Sequence, residues 1–411
     1  MITGAQCRAG RALAELTREM LAKLSRVDAT VIEHFERKLD KPDDGTIKVI
    51  ADALEGAGVV FIPENGGGVG VRLKFTITCL ILGAIAVVLY LICFANAREV
   101  VPRLLELFVE RGIAATWATV GLLFAEDRDE ALAFAPSVRP AYLDRRLDPY
   151  PALEGRDPAE RVGRDERDDP LRFAPSLVRA IAGAPGQELA SHTYAHFTAL
   201  EAGATLEAFE ADLRAAQAIA AAKFPGTVLR SLVLPRHQLR PDFLPALART
   251  GFHAHRGPEP HRLATPHAGV HDAAWKRAGR LLDAYLPLTG ANAAGWPRPD
   301  ALGLVDVPES RFLRGASRRL AALEPLRVAR VARAMAAAAR AGRICHVWWH
   351  PHNFGADPER NLANLRALLD VFERLRDDTG FASLAMGEVA ARARSAATDG
   401  GCSRTAGPGV W

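Results

Sequence analysis

Three short segments hold the residues of this chain best suited to chemistry: Ser191-His192-Thr193-Tyr194-Ala195-His196, Leu234-Pro235-Arg236-His237-Gln238, and His346 through Gly355, which reads HVWWHPHNFG. His192 and His196 stand four residues apart. A helical turn after His192 would bring both imidazoles to one side, where two neutral ring nitrogens can bind one divalent ion. The spacing alone says little, because His346 and His350 repeat it among the 12 histidines of the chain. The order of the neighbouring features says more. Arg236 closes the apolar run 229–234, and a second apolar run, 344–349, delivers His350 into a loop rich in Pro, Asn and Gly.

Such residues need strand ends to hold them. Beyond Arg98 the apolar segments alternate between the helical and the strand period, the pattern of a βα array and an α/β fold. The periodicity predicts helices at 99–110, 174–182, 206–222, 241–249, 328–340 and 358–376. It predicts strands at 114–120, 187–190, 229–234, 302–307 and 344–349. His192 and Arg236 then fall just past strand ends. Residues 126–172, dense in Asp, Arg and Pro, read as a polar insertion. Of Trp348 and Trp349, only one can face a site, since successive strand residues point to opposite faces.

With these residues in place, the stretch 98–394 resembles the NodB-like polysaccharide deacetylases. His192-Thr193-x-x-His196 matches the family's metal-binding histidine motif, Arg236 the arginine of its third motif, and His350 the histidine near its C-terminal end. The resemblance implies a distorted (β/α) barrel of the NodB type that removes acyl groups from N-acetylated sugars or polysaccharides. It implies His192 and His196 as ligands of a divalent metal, zinc foremost. Arg236 would orient a carboxylate through charge-assisted hydrogen bonds, and His350 would protonate the departing amine. One departure counts against turnover: the family's acidic first motif belongs where residues 75–97 stand, and that stretch contains no Asp or Glu. Two protein ligands are fewer than the three usual for catalytic zinc, so the resemblance leads us to expect weak metal binding and impaired deacetylation.

The first residues follow a different pattern. Short helices opened by Thr3, Thr17 and Asp28, with a fourth after Lys41-Pro42-Asp43-Asp44-Gly45, predict a small all-α domain over residues 1–62. The pattern resembles an XRE-type helix-turn-helix domain, with Leu21-Ala22 and Ile32-x-x-Phe35-Glu36-Arg37 as its most telling residues. That resemblance implies DNA contacts from Ala29, Thr30, Glu33 and His34. Arg26 and Lys38 stand where the family has turn glycines, and residues 1–74 carry 11 basic against 11 acidic side chains, a balance that offers little to phosphates. A helical bundle used for dimerisation is the alternative. After Gly56-Ala57-Gly58 the run Val59-Val60-Phe61-Ile62 reads as a short strand, and residues 63–74 read as a Gly-rich linker.

Residues 75–97 carry no charge. The run exceeds the roughly 18 residues that suggest a membrane span and the roughly 5–6 of one strand. A span, a buried first strand with its connection, and a fusion or frame scar all stay open. Five scattered cysteines without a C-x-x-C pair and a net charge of +4 over 411 residues argue against a disulfide framework, a cysteine zinc site and a dominant polyanion partner. The N-terminal domain is expected in the cytoplasm, with a membrane anchor only if 75–97 spans, and residues 395–411 are expected to be disordered. Besides the impaired deacetylase, two readings compete: a sugar-sensing transcriptional regulator with a non-catalytic barrel, and a membrane-tethered hydrolase that draws its base from some other carboxylate.

Overall fold

The computed structural model describes residues 2–14, 16–57, 59–63, 69–73, 95–157, 162–269, 273–398 and 409–411. The chain forms two compact units, Met1–Val88 and Leu89–Trp411. Residues 74–94, which hold most of the uncharged stretch, lie outside the described residues. No helix among the described residues is long and apolar enough to cross a membrane.

In the first unit, helices α1 (Gly4–Leu13), α2 (Arg18–Ser25), α3 (Ala29–Glu36) and α4 (Asp44–Gly56) are each opened by a side chain that satisfies an otherwise bare N–H. Thr3, Thr17, Asp28 and Asp43 are those caps. Arg26 and Lys38 take the left-handed conformation, with φ of 57° and 60°, so the turns keep the geometry that glycine would supply at lower cost. Cys7, Leu21, Ile32, Phe35, Ile50 and Leu54 form its core. Glu36 is buried and takes Arg11 at 2.6 Å and Arg18 at 2.9 Å. The unit is not all helical, which departs from the all-α class that the sequence led us to expect. β1 (Val59–Ile62) pairs antiparallel with β2 (Gly70–Leu73), so the end of the expected linker is a strand. Its edge is tied to α1 by the Gln6 amide, which donates to the carbonyls of Ile62 and Gly70.

The second unit opens with a helix over 95–111 (α5), followed by β3 (Ala115–Thr119), α6 (Arg128–Ala133), α7 (Tyr150–Leu153), α8 (Pro175–Gly183), β4 (Gln187–Ser191) and α9 (Leu206–Lys223). Then come β5 (Ser231–Leu232), α10 (Leu244–Arg249), β6 (Ala254–His255), α11 (Ala274–Asp283), β7 (Val305–Asp306) and β8 (Arg311–Phe312). Helix α12 (Glu324–Arg340), β9 (Val347–Trp348), α13 (Pro351–Gly355), α14 (Pro358–Thr379) and α15 (Met386–Thr398) complete it.

Strands β3 to β7 form a parallel sheet in chain order, and β8 pairs in parallel with β9. Only the four residues 307–310 separate β7 from β8, and in that stretch the backbone leaves β6 for the next strand. The amides of Val307 and Glu309 still donate to the carbonyls of His255 and Gly257, while those of Ser310 and Arg311 donate to His346. The result is an α/β arc with helices packed against it. The expected closed barrel is not formed by the described residues: β3 and β9 are the ends of the arc, and the stretch expected to supply a first strand falls mainly in 74–94. Apolar residues of α9 and α10 fill one core, and those of α5, α12 and α14 fill another. The C-terminal expectation also changes. Residues 395–398 continue α15, and Val410 is buried, its carbonyl accepting from the Cys345 amide at 2.8 Å.

Candidate functional site

His192 follows β4 directly, at the C-terminal end of a parallel strand where helix-flanked sheets collect functional groups. Its Nδ1 lies 2.6 Å from the Val233 carbonyl. That oxygen can only accept, so Nδ1 carries the hydrogen and Nε2 is left with its lone pair, the tautomer a metal ligand needs. The His196 ring stands 5.1 Å from that of His192, nearly perpendicular to it. The segment between them is not the helical turn expected from the spacing. Thr193 and His196 are left-handed, with φ of 65° and 58°, and the loop is held from outside. Asp212 on α9 accepts from the amides of Tyr194 at 2.6 Å and Ala195 at 3.1 Å. The short helical turn at Gly121 docks beneath it, with Gly121 and Leu122 donating to the carbonyls of Thr193 and Tyr194.

After β5 the chain repeats the device, with Arg236 and His237 at φ of 53° and 55°. Four of the seven left-handed non-glycine residues among those described therefore sit in the two histidine-bearing loops. Each such residue costs roughly 1 kcal/mol or more and persists only where its surroundings enforce it. Arg236 finds a carboxylate, but in Glu201, at 3.3 Å. The Gly269 amide donates to the same oxygen at 2.8 Å.

His350 follows β9 and stacks on His352 at 5.0 Å. Trp348 turns toward the histidines, 5.4 Å from the ring of His350 and 5.0 Å from that of His237. Trp349 stacks on Phe354 among core residues. One tryptophan thus belongs to the site and the other to packing, as the alternation requires.

Two residues absent from the sequence reading sit at the centre. Arg256, just past β6, places its guanidinium 4.3 Å above the Trp348 ring, and its charge disfavours protonation of His192, His237, His346 and His350. Glu309 is 3 % exposed, with Oε2 at 3.5 Å from His237 Nδ1 and 3.8 Å from Arg256 Nε. Burial raises its carboxyl to about 7, although Arg256 pulls the other way. The same desolvation lowers the imidazoles: His196 to about 4 with help from Arg236, and His350 to about 4 with help from His352 and Arg256. These histidines are therefore neutral at pH 7, ready to donate lone pairs.

His192, Arg256, His346, Trp348 and His350 line a cavity of about 350 Å³. A metal ion fits these residues only in part. His192 and His196 offer two imidazoles, and no group of three or more His, Cys, Asp or Glu side chains among the described residues could hold an ion. In the first unit, the expected DNA-facing residues lie on α3, where Thr30 and His34 are exposed and Ala29 and Glu33 half-buried. Glu33 pairs with Arg37 at 3.0 Å.

No family model and no curated protein matches the chain. Among solved structures it is similar to one from Mycobacterium smegmatis described as a "putative polysaccharide deacetylase", at 18% identity over 73% of this chain and 78% of that chain, with a TM-score of 0.42.

Proposed function

We propose that the second unit carries a deacetylase-type site for N-acylated sugars whose hydrolysis is slow. What carries this reading is the meeting of His192 and His196 at a strand end, in a strained loop, with one imidazole fixed by a backbone carbonyl as a metal ligand would be. Trp348 offers the sugar a ring face, and its buried Nε1 has no hydrogen-bond partner among the described residues, so it can donate to a sugar oxygen. Glu309 has the carboxyl best placed to take up a proton near neutral pH. His350, neutral at pH 7, is poorly charged as an acid until the pH approaches 4. Two imidazoles fall short of the donor set of a catalytic zinc.

The test is zinc titration of the full chain, alongside acetate release from N-acetylated oligosaccharides. We expect weak binding that His192→Ala and His196→Ala each weaken at least tenfold, and slow turnover that Glu309→Gln removes. Zinc binding indifferent to both histidine substitutions would end this reading.

A second reading, a sugar-sensing regulator, is favoured by the tight left-handed turn at Arg26 between α2 and the exposed α3. It requires duplex DNA binding that falls as salt rises. Fluorescence anisotropy at two salt concentrations decides it.

A further inference from the structure

A second cavity, of about 400 Å³, lies beside the histidines and is lined by Arg236, Arg280, Arg311, Arg314, Arg327 and Arg330, with Trp348 and Glu309 at its wall. Its carboxylates are fewer. Arg311 and Arg330, 4 % and 3 % exposed, share a single one, Asp283, and both donate to the Gly290 carbonyl. Glu259 lies 3.7 Å from Arg311 but is already taken by His261 at 2.7 Å and Asn292 at 2.6 Å. Arg327 is matched by Glu324 and Arg236 by Glu201. Arg314 makes no ion pair or side-chain hydrogen bond among the described residues. The Nε atoms of Arg311 and Arg330 are buried without a hydrogen-bond partner among the described residues. Burying a guanidinium without its full set of acceptors costs several kcal/mol, and this cavity gathers such groups.

We propose that this cavity binds the phosphate or diphosphate of a sugar ester. Guanidinium forks match phosphate oxygens in pairs, and a dianion supplies the charge that Asp283 and Glu259 leave unmatched. Because Trp348 lines both cavities, a ligand anchored by its phosphate among the arginines lays its sugar against that ring. The sugar part rests on the carbohydrate reading above; the anion site does not. Burial and the charges of Arg280 and Arg327 make Arg314 hold its proton less tightly, as expected of a cation awaiting an anion.

Calorimetric titration of the full chain in EDTA and low salt tests this without turnover. Inorganic pyrophosphate is expected to bind one per chain. N-acetylglucosamine 1-phosphate should bind at least tenfold tighter than N-acetylglucosamine. Arg314→Ala removes no ion pair and should weaken both phosphate ligands at least tenfold, Arg314→Lys should restore part of the loss, and Arg366→Ala, on the exposed face of α14, should change nothing. Absence of saturable pyrophosphate binding, or binding unchanged by Arg314→Ala, overturns the anion site. Pyrophosphate binding without sugar-phosphate binding overturns the ester assignment alone. Failure of acetate release with these affinities intact would strike the hydrolase reading and leave the anion site standing.

Discussion

Asp212 shows what a single side chain contributes to the histidine loop. It is 2 % exposed and takes two of the three amides between the two imidazoles, those of Tyr194 and Ala195, so the loop's left-handed path is secured from α9. Burial raises its carboxyl to about 7, against the two N–H bonds that pull it down from the ordinary 3.8. A folded-state pKa above the unfolded one means stability that is complete below about 4 and fades as pH rises through 7. The loss amounts to at most roughly 4 kcal/mol. Asp212→Asn cannot ionise, so relative to the native protein it should gain several kcal/mol between pH 4 and pH 8 in urea unfolding. Parallel stability curves would show that burial is not the cause. The residue was legible in part, since an Asp on the apolar face that holds Phe209, Leu213 and Ala216 is anomalous. Glu309 was within reach too, two residues past the predicted strand 302–307. Arg256 was not, because no pattern in Phe252-His253-Ala254-His255 announces the two-residue strand before it.

The elements that position the site follow from periodicity where they are long. Helix α9 was expected at 206–222 and runs Leu206–Lys223; α14 was expected at 358–376 and runs Pro358–Thr379; β4 was expected at 187–190 and runs Gln187–Ser191. The two-residue strands β5, β7 and β9 lie in longer apolar runs that could be read, whereas β6 and β8 stand among His and Arg residues with no such run, which hid them. The contact between the turn at Gly121 and the histidine loop was equally hidden, since its hydrogen bonds, Gly121 to Thr193 and Leu122 to Tyr194, join residues far apart in sequence. A Cβ added at Gly121 would lie 2.6 Å from Tyr194 Cδ2 and 2.9 Å from its Cα, so the loop must move. Gly121→Ala should cost about 1–3 kcal/mol by overpacking and weaken zinc binding as His192 and His196 part. Thermal melting with zinc titration reads both, and a stable variant with native affinity would show that the loop holds its shape without this contact.

At the scale of the whole molecule, each unit has its own core: among the described residues, that of the first unit draws on none beyond Val71, and those of the second begin at Val100. Glu36 offers a way to test their independence. Burial pushes its carboxyl up, but hydrogen bonds from Arg11 and Arg18 outweigh that and hold it below the usual range. Removing one member of such a pair leaves charge unmatched. Glu36→Ala should lower the stability of the first unit by about 3 kcal/mol, seen in scanning calorimetry as one transition moving down while the other stays. A single transition that moves as a whole would show that the two cores melt together. Sequence reading placed a short strand at 59–62 and a break after it, but it missed the second strand and so the β1–β2 hairpin. Glycines on either side of short apolar runs signal a break as readily as a turn.

The bond from His192 to the Val233 carbonyl has a further consequence. The acceptor is a main-chain oxygen, so it survives any replacement of the Val233 side chain that preserves β5. The side chain at 233 can therefore change, within what its buried place in the core accepts, without changing which imidazole nitrogen faces a ligand. Val233 is buried in the core, so apolar replacements of similar size at 233 should keep the ring in place, whereas Val233→Pro, which removes the amide that donates to the Ser191 carbonyl at 2.9 Å, should displace the strand end and lower zinc affinity in the same titration.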